Sequence, residues 1–228
     1  CIRDSHMSTQ TGIVNYGTCR ALYDMGVTRA VLARELSLEE IAGIRAKIPA
    51  DMELEVFVHG AMCMSFSGRC LLSAYLTGRD ANRGACAQPC RWNYHLMEST
   101  RPGQYFPVEE TDEGTYIFNA KDLCMIDHLQ ELLAAGVDSL KIEGRNKSAY
   151  YVAIVTNAYR AALDAAKAGE PAPQWALDEV VQVSPREYCT GFFYGRENAA
   201  QRYQNSSYVR NCDVVAVVDS WKDGRLYL

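Results

Sequence analysis

Short apolar segments alternate with amphipathic segments along residues 1–168, and this alternation restricts the fold more than any other feature of the chain. Short apolar runs predict buried strands, and apolar residues at helical spacing predict the helices between them. The strands are predicted at 30–33, 54–58, 115–118 and 139–142, and the helices at 15–25, 37–47, 122–135 and 148–168. Strands that alternate with helices form a parallel sheet or barrel, because each helix returns the chain to the start of the next strand.

Polar residues mark the predicted helix starts. Ser37 and Glu40 have the spacing of a capping box, in which each side chain accepts a hydrogen bond from the other residue's backbone N–H. Asp122 and Ser148 are candidate N-cap residues for the later helices. These signals fix where three of the helices are expected to begin.

About four strand–helix units precede the Gly- and Pro-containing stretch 169–173. A complete eight-unit barrel needs roughly 250 residues. The pattern therefore predicts an α/β fold in which residues 1–168 form the C-terminal half of a TIM-like barrel. Because half a barrel leaves an open sheet edge, the missing N-terminal half or a partner chain is expected to cover it.

The rest of the chain is predicted to form a linker and a second domain. Residues 169–190 are the expected linker, with a helical turn near 177–181. An apolar strand at 213–219 and a hairpin turn at 222–224 follow. Residues 191–228 are therefore predicted to begin a small C-terminal β domain that is truncated here.

Residues 60–114 interrupt the alternation with a Gly- and Pro-rich stretch that is too long for a simple connection between a strand and a helix. This predicted insertion carries Cys63, Cys70, Cys86 and Cys90, out of nine cysteines in the chain. The odd number of cysteines and the lack of an apolar N-terminal signal argue against a disulfide framework. Metal or redox chemistry in a reducing cytoplasm is the better interpretation.

The spacing of these four cysteines leaves the bound group open. Structural zinc sites usually contain two close pairs, and here only Cys86 and Cys90 are close. Fe–S clusters accept wider spacing because a folded loop gathers the thiolates. Buried structural cysteines are the third interpretation, although a Gly- and Arg-rich insertion has little core to fill. Nearby arginines are expected to lower the thiol pKa values and favour ligation.

The cysteine-rich stretch is locally basic, although the chain carries a formal net charge of −5. Its arginines are Arg69, Arg79, Arg83 and Arg91. Arginines interspersed with aromatic residues are typical of nucleic-acid contacts. The alternative is a charged loop that complements an anionic cluster or a neighbouring acidic surface. The negative net charge argues against a protein that coats nucleic acid by its overall charge.

Motifs of common hydrolases are absent from the sequence, which contains neither His-Glu-x-x-His nor Gly-x-Ser-x-Gly. His59 ends a predicted strand and could act as a base, neighbour a cluster or belong to the core. Its pairing with Cys63 as a nucleophile is conceivable, but ligation explains four clustered cysteines more simply. No apolar run approaches the ~20 residues of a membrane span, so no membrane partner is expected.

Five stretches resemble one known family. Glu55–Cys63 (EVFVHGAMC) and Ser67–Ser73 (SGRCLLS) together resemble the signature of the collagenase-like peptidases, peptidase family U32. The other three similar stretches are 33–36, 84–92 and 141–148. This resemblance covers about residues 7–164 and implies a TIM-like barrel whose visible strands are the fifth to eighth.

Family members with this signature include tRNA and rRNA hydroxylation proteins, so the resemblance implies their cofactor as well. It implies a 4Fe–4S cluster on Cys63, Cys70 and Cys86, with Cys90 as the fourth ligand in the RNA-modifying branch. Cys124, expected on the helix after the next strand, is the reserve fourth ligand. A sample handled in air is expected to show an empty site or zinc.

The leading hypothesis that follows is hydroxylation of the wobble uridine of tRNA, with prephenate as the oxygen donor. Strand-end residues are the candidates for catalysis and donor binding: Arg34, Glu35, His59, Lys141, Glu143 and Arg145. A structural Glu143–Arg145 pair that fixes the loop is the alternative for those two residues. The competing functions are a collagenase-like protease and a non-catalytic Fe–S partner subunit.

Overall fold

The computed structural model describes residues 5–63, 65–66, 69–79, 81, 84–92, 95–96, 106–107, 121–183, 186–195 and 220–227. Its strands are β1 (His6–Met7), β2 (Arg29–Val31), β3 (Glu53–Gly60), β4 (His95–Leu96), β5 (Phe106–Pro107), β6 (Asp122–Cys124), β7 (Ser139–Ile142), β8 (Tyr188–Cys189), β9 (Ser220–Lys222) and β10 (Arg225–Tyr227). Its α-helices are α1 (Tyr16–Asp24), α2 (Leu38–Arg45), α3 (Leu72–Thr77), α4 (Leu129–Ala134), α5 (Ala149–Lys167) and α6 (Gln174–Val183).

Strands β1, β2, β3 and β7 pair side by side and in parallel, in their order along the chain. Strand β6 runs antiparallel to the last two residues of β3 and pairs in parallel with β8. These six strands form one mostly parallel sheet, which confirms the mixed α/β class. The TIM-like barrel and the division into domains at 168 and 190 stay predictions.

The centre of the sheet is β3, which is buried from Leu54 to Gly60. Strands that are buried on both faces read as nearly continuous apolar runs, and the buried part of β3 does so apart from Glu55 and His59. Helices α2, α4 and α5 supply buried side chains to the same core, among them Ile41, Leu132 and Val155. This core holds the carboxyl ends of the parallel strands in place.

Most of the predicted helix signals are confirmed. The capping box is present, because the backbone N–H of Glu40 donates to Ser37 Oγ while that of Ser37 donates to Glu40 Oε2. Ser148 Oγ accepts the backbone N–H of Tyr151 at 3.2 Å and begins α5. The shorter elements differ from the expected bounds by only a few residues, as when β2 covers 29–31 instead of 30–33.

The prediction for residues 122–135 is wrong in its first half. Asp122 does not cap a helix: it begins strand β6, and its backbone N–H donates to the carbonyl of Glu187 at 3.0 Å. The side chain is fully buried, and Lys147 Nζ lies 3.7 Å from its carboxylate. Pairing with β3 and β8 therefore overrides the local capping preference, and the helix begins only at Leu129.

Two elements after residue 168 differ from the sequence prediction: one is longer than predicted, and the other is not predicted at all. The expected turn at 177–181 is the ten-residue helix α6, which packs on α5 through buried Ala176 and Val180. Strand β8 has only two residues and carries no apolar run, so periodicity gives no sign of it. It joins the sheet through its pairing with β6.

The predicted hairpin turn is confirmed between β9 and β10, which pair antiparallel. Asp223 and Gly224 both have positive φ, 50° and 73°, as a two-residue hairpin turn with the twist of its strands requires. The predicted strands 115–118 and 213–219 lie outside the described residues. Among the helices of the described ranges, none has the length and apolar character needed to span a bilayer.

Candidate functional site

Residues that follow the carboxyl ends of β1, β2, β3 and β7 line a cavity of about 240 Å³. This is the end of a parallel α/β sheet or barrel where ligands usually bind. All four clustered cysteines line this cavity: Cys63, Cys70, Cys86 and Cys90. The cysteine-rich insertion and the strand ends therefore contribute to one site, as the sequence predicts.

Positive charge predominates among the residues that line the cavity. The lining contains four cationic side chains, those of Arg34, Lys141, Arg145 and Lys147, and one carboxylate, that of Glu143, while two carboxylates outside the lining pair with Lys141 and Lys147. This balance suits an anionic ligand, because positive groups in a partly enclosed site attract negative charge more strongly than they do in open solvent.

The ring of Phe57 lies beside two of these cationic side chains. The Arg34 guanidinium lies 3.9 Å from the centre of the Phe57 ring, and Lys141 Nζ lies 5.0 Å from it. Arg34 is largely buried, and burial lowers its pKa while the nearby Glu143 carboxylate opposes that shift. An aromatic ring beside two cations provides both a stacking surface and positive charge.

Arg34 and Lys141 each form an ion pair with a different carboxylate. Arg34 Nη2 lies 3.6 Å from Glu143 Oε2, and Lys141 Nζ lies 3.4 Å from Glu55 Oε1. Glu55 is buried in β3 and also accepts a hydrogen bond from Ser139 Oγ at 3.0 Å. The sequence interpretation missed Glu55, although a charged residue inside the apolar run of β3 is the signal that marks it.

Glu143 also shapes its own loop. Its Oε1 accepts the backbone N–H of Arg145 at 3.1 Å, and its backbone N–H donates to the carbonyl of His59 at 2.9 Å. The carboxylate of Glu143 thus holds both the Arg34 guanidinium and the backbone that presents Arg145. Glu143 can therefore fix its loop, as the structural alternative predicts, and line the cavity at the same time.

The thiols of the insertion accept hydrogen bonds from the backbone. In Cys63, Cys70 and Cys86 the donor is the N–H two residues later, with N···S distances of 3.4 Å at Cys70 and 3.3 Å at Cys86. Hydrogen bonds to cysteine sulfur are among the contacts that tune Fe–S clusters. Burial raises the pKa of the Cys63 thiol. Arg34 lowers this pKa, as expected of a nearby arginine, but by less than burial raises it.

The four thiols fit an Fe–S cluster in kind and number, and the positive lining fits its negative charge. None of the described cysteines forms a disulfide. Their sulfur atoms are not gathered at ligation distances: within the described ranges, no group of three or more His, Cys, Asp or Glu side chains is arranged to hold a metal ion. The cysteines therefore share a cavity without forming a closed metal site.

One hydrogen bond joins the insertion to the strand-end loop, and another holds the insertion together internally. Asn146 Nδ2 donates to the carbonyl oxygen of Cys86 at 3.1 Å, whereas buried Ser73 Oγ, within the insertion, accepts the backbone N–H of Ala87 at 2.9 Å. Gly84 has a positive φ of 83° and lies directly against the Arg145 side chain. Sequence reasoning did not select Ser73 or Asn146 as site residues, although both lie in the stretches 67–73 and 141–148 that resemble the family.

His59 lies apart from the cavity, contrary to the expectation that it lines the site. A bulge in β3 places Phe57 opposite Lys141 and His59 opposite Ile142, so His59 leaves the face that Phe57 occupies. Its buried ring contacts three tyrosine rings, those of Tyr151, Tyr159 and Tyr188, with centroids 5.9, 5.3 and 5.2 Å away. Burial lowers the pKa of His59 to about 4, so its imidazole is neutral at neutral pH.

Cys124 is also separate from the cavity. It lies in strand β6, not on the expected helix, and its thiol faces the hydroxyl of buried Tyr159 at 3.9 Å. Burial raises the pKa of the Cys124 thiol. The cavity lining contains Cys90 and does not contain Cys124, which favours Cys90 as the fourth cysteine of the set.

The remaining candidates are dispersed. Glu35 is half-buried and does not line the cavity. Arg69 Nε donates to the carbonyl of Gln10 at 3.1 Å, and Arg79 is exposed after α3. Arg83 and the side chain of Arg91 lie outside the described residues. A common RNA surface for these four arginines stays a prediction.

Comparison with known proteins places the sequence among RNA-modifying relatives. It is 41% identical to tRNA hydroxylation protein P of Escherichia coli over 242 residues, covering 89% of this chain and 53% of that protein. It is 40% identical to an uncharacterized protease of Methanocaldococcus jannaschii, covering 95% of this chain and 54% of the relative. A 23S rRNA 5-hydroxycytidine synthase of Escherichia coli is 41% identical over 160 residues, covering 70% of this chain and 23% of that protein.

The chain spans about half the length of the tRNA hydroxylation proteins it matches. No solved structure matches it. The family model described as peptidase family U32 matches residues 3–203, which confirms the resemblance of the signature stretches. The chain belongs to peptidase family U32.

Proposed function

We propose that the full-length protein hydroxylates the wobble uridine of tRNA with a 4Fe–4S cluster held by Cys63, Cys70, Cys86 and Cys90. The observation that carries the proposal is that all four thiols line one cavity together with the cationic residues of the strand ends. Its relatives named tRNA hydroxylation proteins support the same substrate class. A reducing cytoplasm would suit the four free thiols and the cluster.

When bound, the cluster supplies electron-transfer or Lewis-acid chemistry next to the substrate. The overall reaction breaks the C5–H bond of uridine, forms a C5–OH bond and removes two electrons from the base. Prephenate, the proposed donor, would transfer its whole hydroxyl group to C5 by breaking its C–OH bond, and a C–H bond made with the C5 proton and the two electrons would form in its place. Atoms and electrons therefore balance without a further oxidant.

The cavity residues have distinct roles in this proposal. Arg34 and Lys141 bind the carboxylates of the anionic donor, whose ring lies beside Phe57. Glu143 accepts or returns a proton at the uridine, because its carboxylate lines the cavity and is held by Arg34. Arg145 contributes positive charge at the cavity, next to the cysteine-bearing segment.

The RNA backbone is proposed to bind Arg69, Arg79, Arg83 and Arg91 around the cysteine-rich insertion. Phosphate contacts of this kind release counterions, so affinity for tRNA should fall as the salt concentration rises. The N-terminal half of the protein, or a partner chain, is proposed to cover the open side of the sheet and complete the RNA-binding surface.

A complementation experiment tests this function. Deletion strains carrying the full-length gene, or its Cys70→Ala variant, are compared by mass analysis of tRNA nucleosides. We expect 5-hydroxyuridine to return with the wild-type gene and to stay absent with the variant. Unmodified uridine in the strain that carries the wild-type gene would contradict the proposal.

Proteolysis is the second candidate, because one relative is named as an uncharacterized protease. Gelatin cleavage by the purified full-length protein tests it. Cleavage that survives the simultaneous replacement of Cys63, Cys70, Cys86 and Cys90, without any change in tRNA nucleosides, would favour hydrolysis over hydroxylation.

A further inference from the structure

The peptide group between Cys86 and Ala87 is held at both of its polar atoms. Asn146 Nδ2 donates to its carbonyl oxygen at 3.1 Å, and Ser73 Oγ accepts its N–H at 2.9 Å. A peptide group is planar, so two bonds at its opposite ends fix the orientation of the whole plane. The two side chains come from different elements, since Ser73 lies in α3 and Asn146 follows β7.

The thiol of Cys86 is fixed by a third contact. The backbone N–H of Gln88 donates to Cys86 Sγ at 3.3 Å. With the peptide plane held by Ser73 and Asn146, this bond restricts the remaining rotation of the side chain about χ1. The direction of the sulfur into the cavity therefore depends on the held peptide.

We propose that Asn146 is a positioning residue, which orients Cys86 for ligation by fixing this peptide from the strand-end loop. The inference rests on the proposed cluster, and it goes further by assigning a role to a residue that binds neither the cluster nor the RNA. Asn146 also joins the cysteine-bearing segment to the loop that carries Glu143 and Arg145. The positions of the cluster ligand and of the cationic loop are thereby coupled.

We expect the loss of this hydrogen bond to disturb the orientation of Cys86 without unfolding the protein. The Asn146 bond is exposed, and the net contribution of an exposed hydrogen bond to folding is small. Loss of a contact that orients a metal ligand typically changes metal affinity about 10- to 100-fold. A positioning role and a merely structural role therefore predict different results.

The test uses the full-length protein loaded with iron and sulfide under anaerobic conditions. Asn146→Ala and the isosteric Asn146→Asp remove the donor, while Gln130→Ala removes a matched amide-to-carbonyl bond, from Gln130 Nε2 to the Glu170 oxygen at 3.0 Å. We expect iron release to a chelator about tenfold faster in both Asn146 variants and unchanged in Gln130→Ala. Release at the wild-type rate in both Asn146 variants would overturn the proposal.

Folding of the variants is measured by circular dichroism and thermal unfolding of the metal-free proteins. We expect all three to fold with nearly the wild-type unfolding temperature. If neither Asn146→Ala nor Asn146→Asp folds, the bond supports the fold as a whole, and the positioning role is contradicted.

A second readout needs no cofactor. Iodoacetamide labelling of the metal-free protein, followed by peptide mass analysis, reports the exposure of Cys86 and Cys70 separately. We expect faster labelling of Cys86 in Asn146→Ala, with Cys70 unchanged. An unchanged Cys86 rate would overturn the proposal, whereas a wild-type protein that binds no iron would contradict the proposed function alone.

Discussion

The Arg34 guanidinium lies 3.9 Å from the centre of the Phe57 ring, at the wall of the cavity that the four cysteines share. Glu143 holds the same guanidinium by an ion pair at 3.6 Å, so Arg34 is fixed both by a ring and by a carboxylate. A cation fixed in this way needs little reorganisation when an anion binds. It therefore differs from a surface arginine, whose side chain must first be ordered.

Replacement of Arg34 by lysine keeps the charge and removes the planar group that stacks on Phe57. We expect the full-length Arg34→Lys protein to show a KM for the anionic donor raised roughly tenfold, because a flexible ammonium that no longer stacks on Phe57 must be ordered when the donor binds, at a cost of about 1 kcal/mol. Steady-state kinetics with varied donor measure the change. Arg160→Lys, in an exposed pair with Asp164, is the matched control and should leave KM unchanged.

Equal KM values in Arg34→Lys and the wild type would show that the donor does not bind at this ring. A loss of kcat alone would also contradict donor binding here, because it would assign Arg34 to the chemical step.

The fourth cluster ligand is decided by two single replacements. Cys90 lines the cavity, whereas Cys124 is a β6 residue beside the Tyr159 hydroxyl. We expect Cys90→Ala to abolish the iron content of the anaerobically prepared full-length protein and Cys124→Ala to leave it unchanged. Metal analysis per chain measures both, and the opposite pattern would assign the ligand to Cys124.

The parts of this site that are local in sequence could be predicted. The apolar run of β3 and the capping box at Ser37 depend on neighbouring residues, and both are present where expected. The four cysteines could be grouped because they lie in one insertion whose composition differs from the rest of the chain. Local patterns thus identified the strand ends and the cysteine set.

The parts that depend on contacts distant in sequence could not be predicted. The bulge that turns His59 away from Phe57 arises from pairing with β7, more than 80 residues later in the chain. Aspartate is a common N-cap residue, so the sequence around Asp122 predicts a helix start. Only the pairing of β6 with β3 and β8 places Asp122 in a strand. Neither partner can be read from the residues around these positions.

Glu55 is expected to stabilise the fold through its buried charge. Its carboxylate holds Lys141 at 3.4 Å and Arg29 at 3.5 Å, and its side chain is only 10% exposed. Glu55→Ala should lower the free energy of unfolding by about 1 to 2 kcal/mol, because Lys141 loses its carboxylate and Ser139 loses its acceptor, whereas Arg29 keeps Glu53. Urea unfolding of the full-length protein measures this.

The matched control for Glu55 is Glu53→Ala. Glu53 also pairs with Arg29, but its side chain is 45% exposed, so the replacement should cost less than about 1 kcal/mol. Equal decreases in the free energy of unfolding in the two variants would show that burial of the Glu55 carboxylate does not determine its contribution to stability.

His59 should make the folded state sensitive to acid. Its pKa is lowered to about 4 by burial, whereas an unfolded histidine titrates near 6.5. The groups around it are Asp122, Lys147, Tyr151, Tyr159 and Tyr188. Between these pH values the unfolded chain binds a proton that the folded chain excludes, so stability is full above about pH 6.5 and falls down to about pH 4.

The expected loss from His59 is about 3 kcal/mol across that interval. Urea unfolding at pH 7 and pH 4.5 measures it, and His59→Phe, which cannot be protonated, should show a smaller decrease between the two pH values. The same decrease in both proteins would assign the acid sensitivity to other groups.

Gly84 tests how tightly the cysteine-bearing segment must lie against the strand-end loop. Its φ is 83°, and a Cβ at this position would lie 2.6 Å from Arg145 Cδ, so alanine must both adopt a left-handed backbone and displace the Arg145 side chain from the cavity. Gly78 shares the positive φ, at 70°, but its Cβ would meet nothing within 4 Å. Gly78→Ala therefore isolates the backbone cost, which is about 1 kcal/mol.

We expect Gly84→Ala to speed hydrogen exchange of the amides in 84–90 at least tenfold and to speed iron release from the loaded full-length protein. Gly78→Ala should affect only exchange at the end of α3. The difference arises because steric conflict with Arg145 adds to the left-handed strain at Gly84 alone. Equal exchange at 84–90 in the two variants would show that the segment tolerates displacement of Arg145, and that its close docking does not hold the cysteines in place.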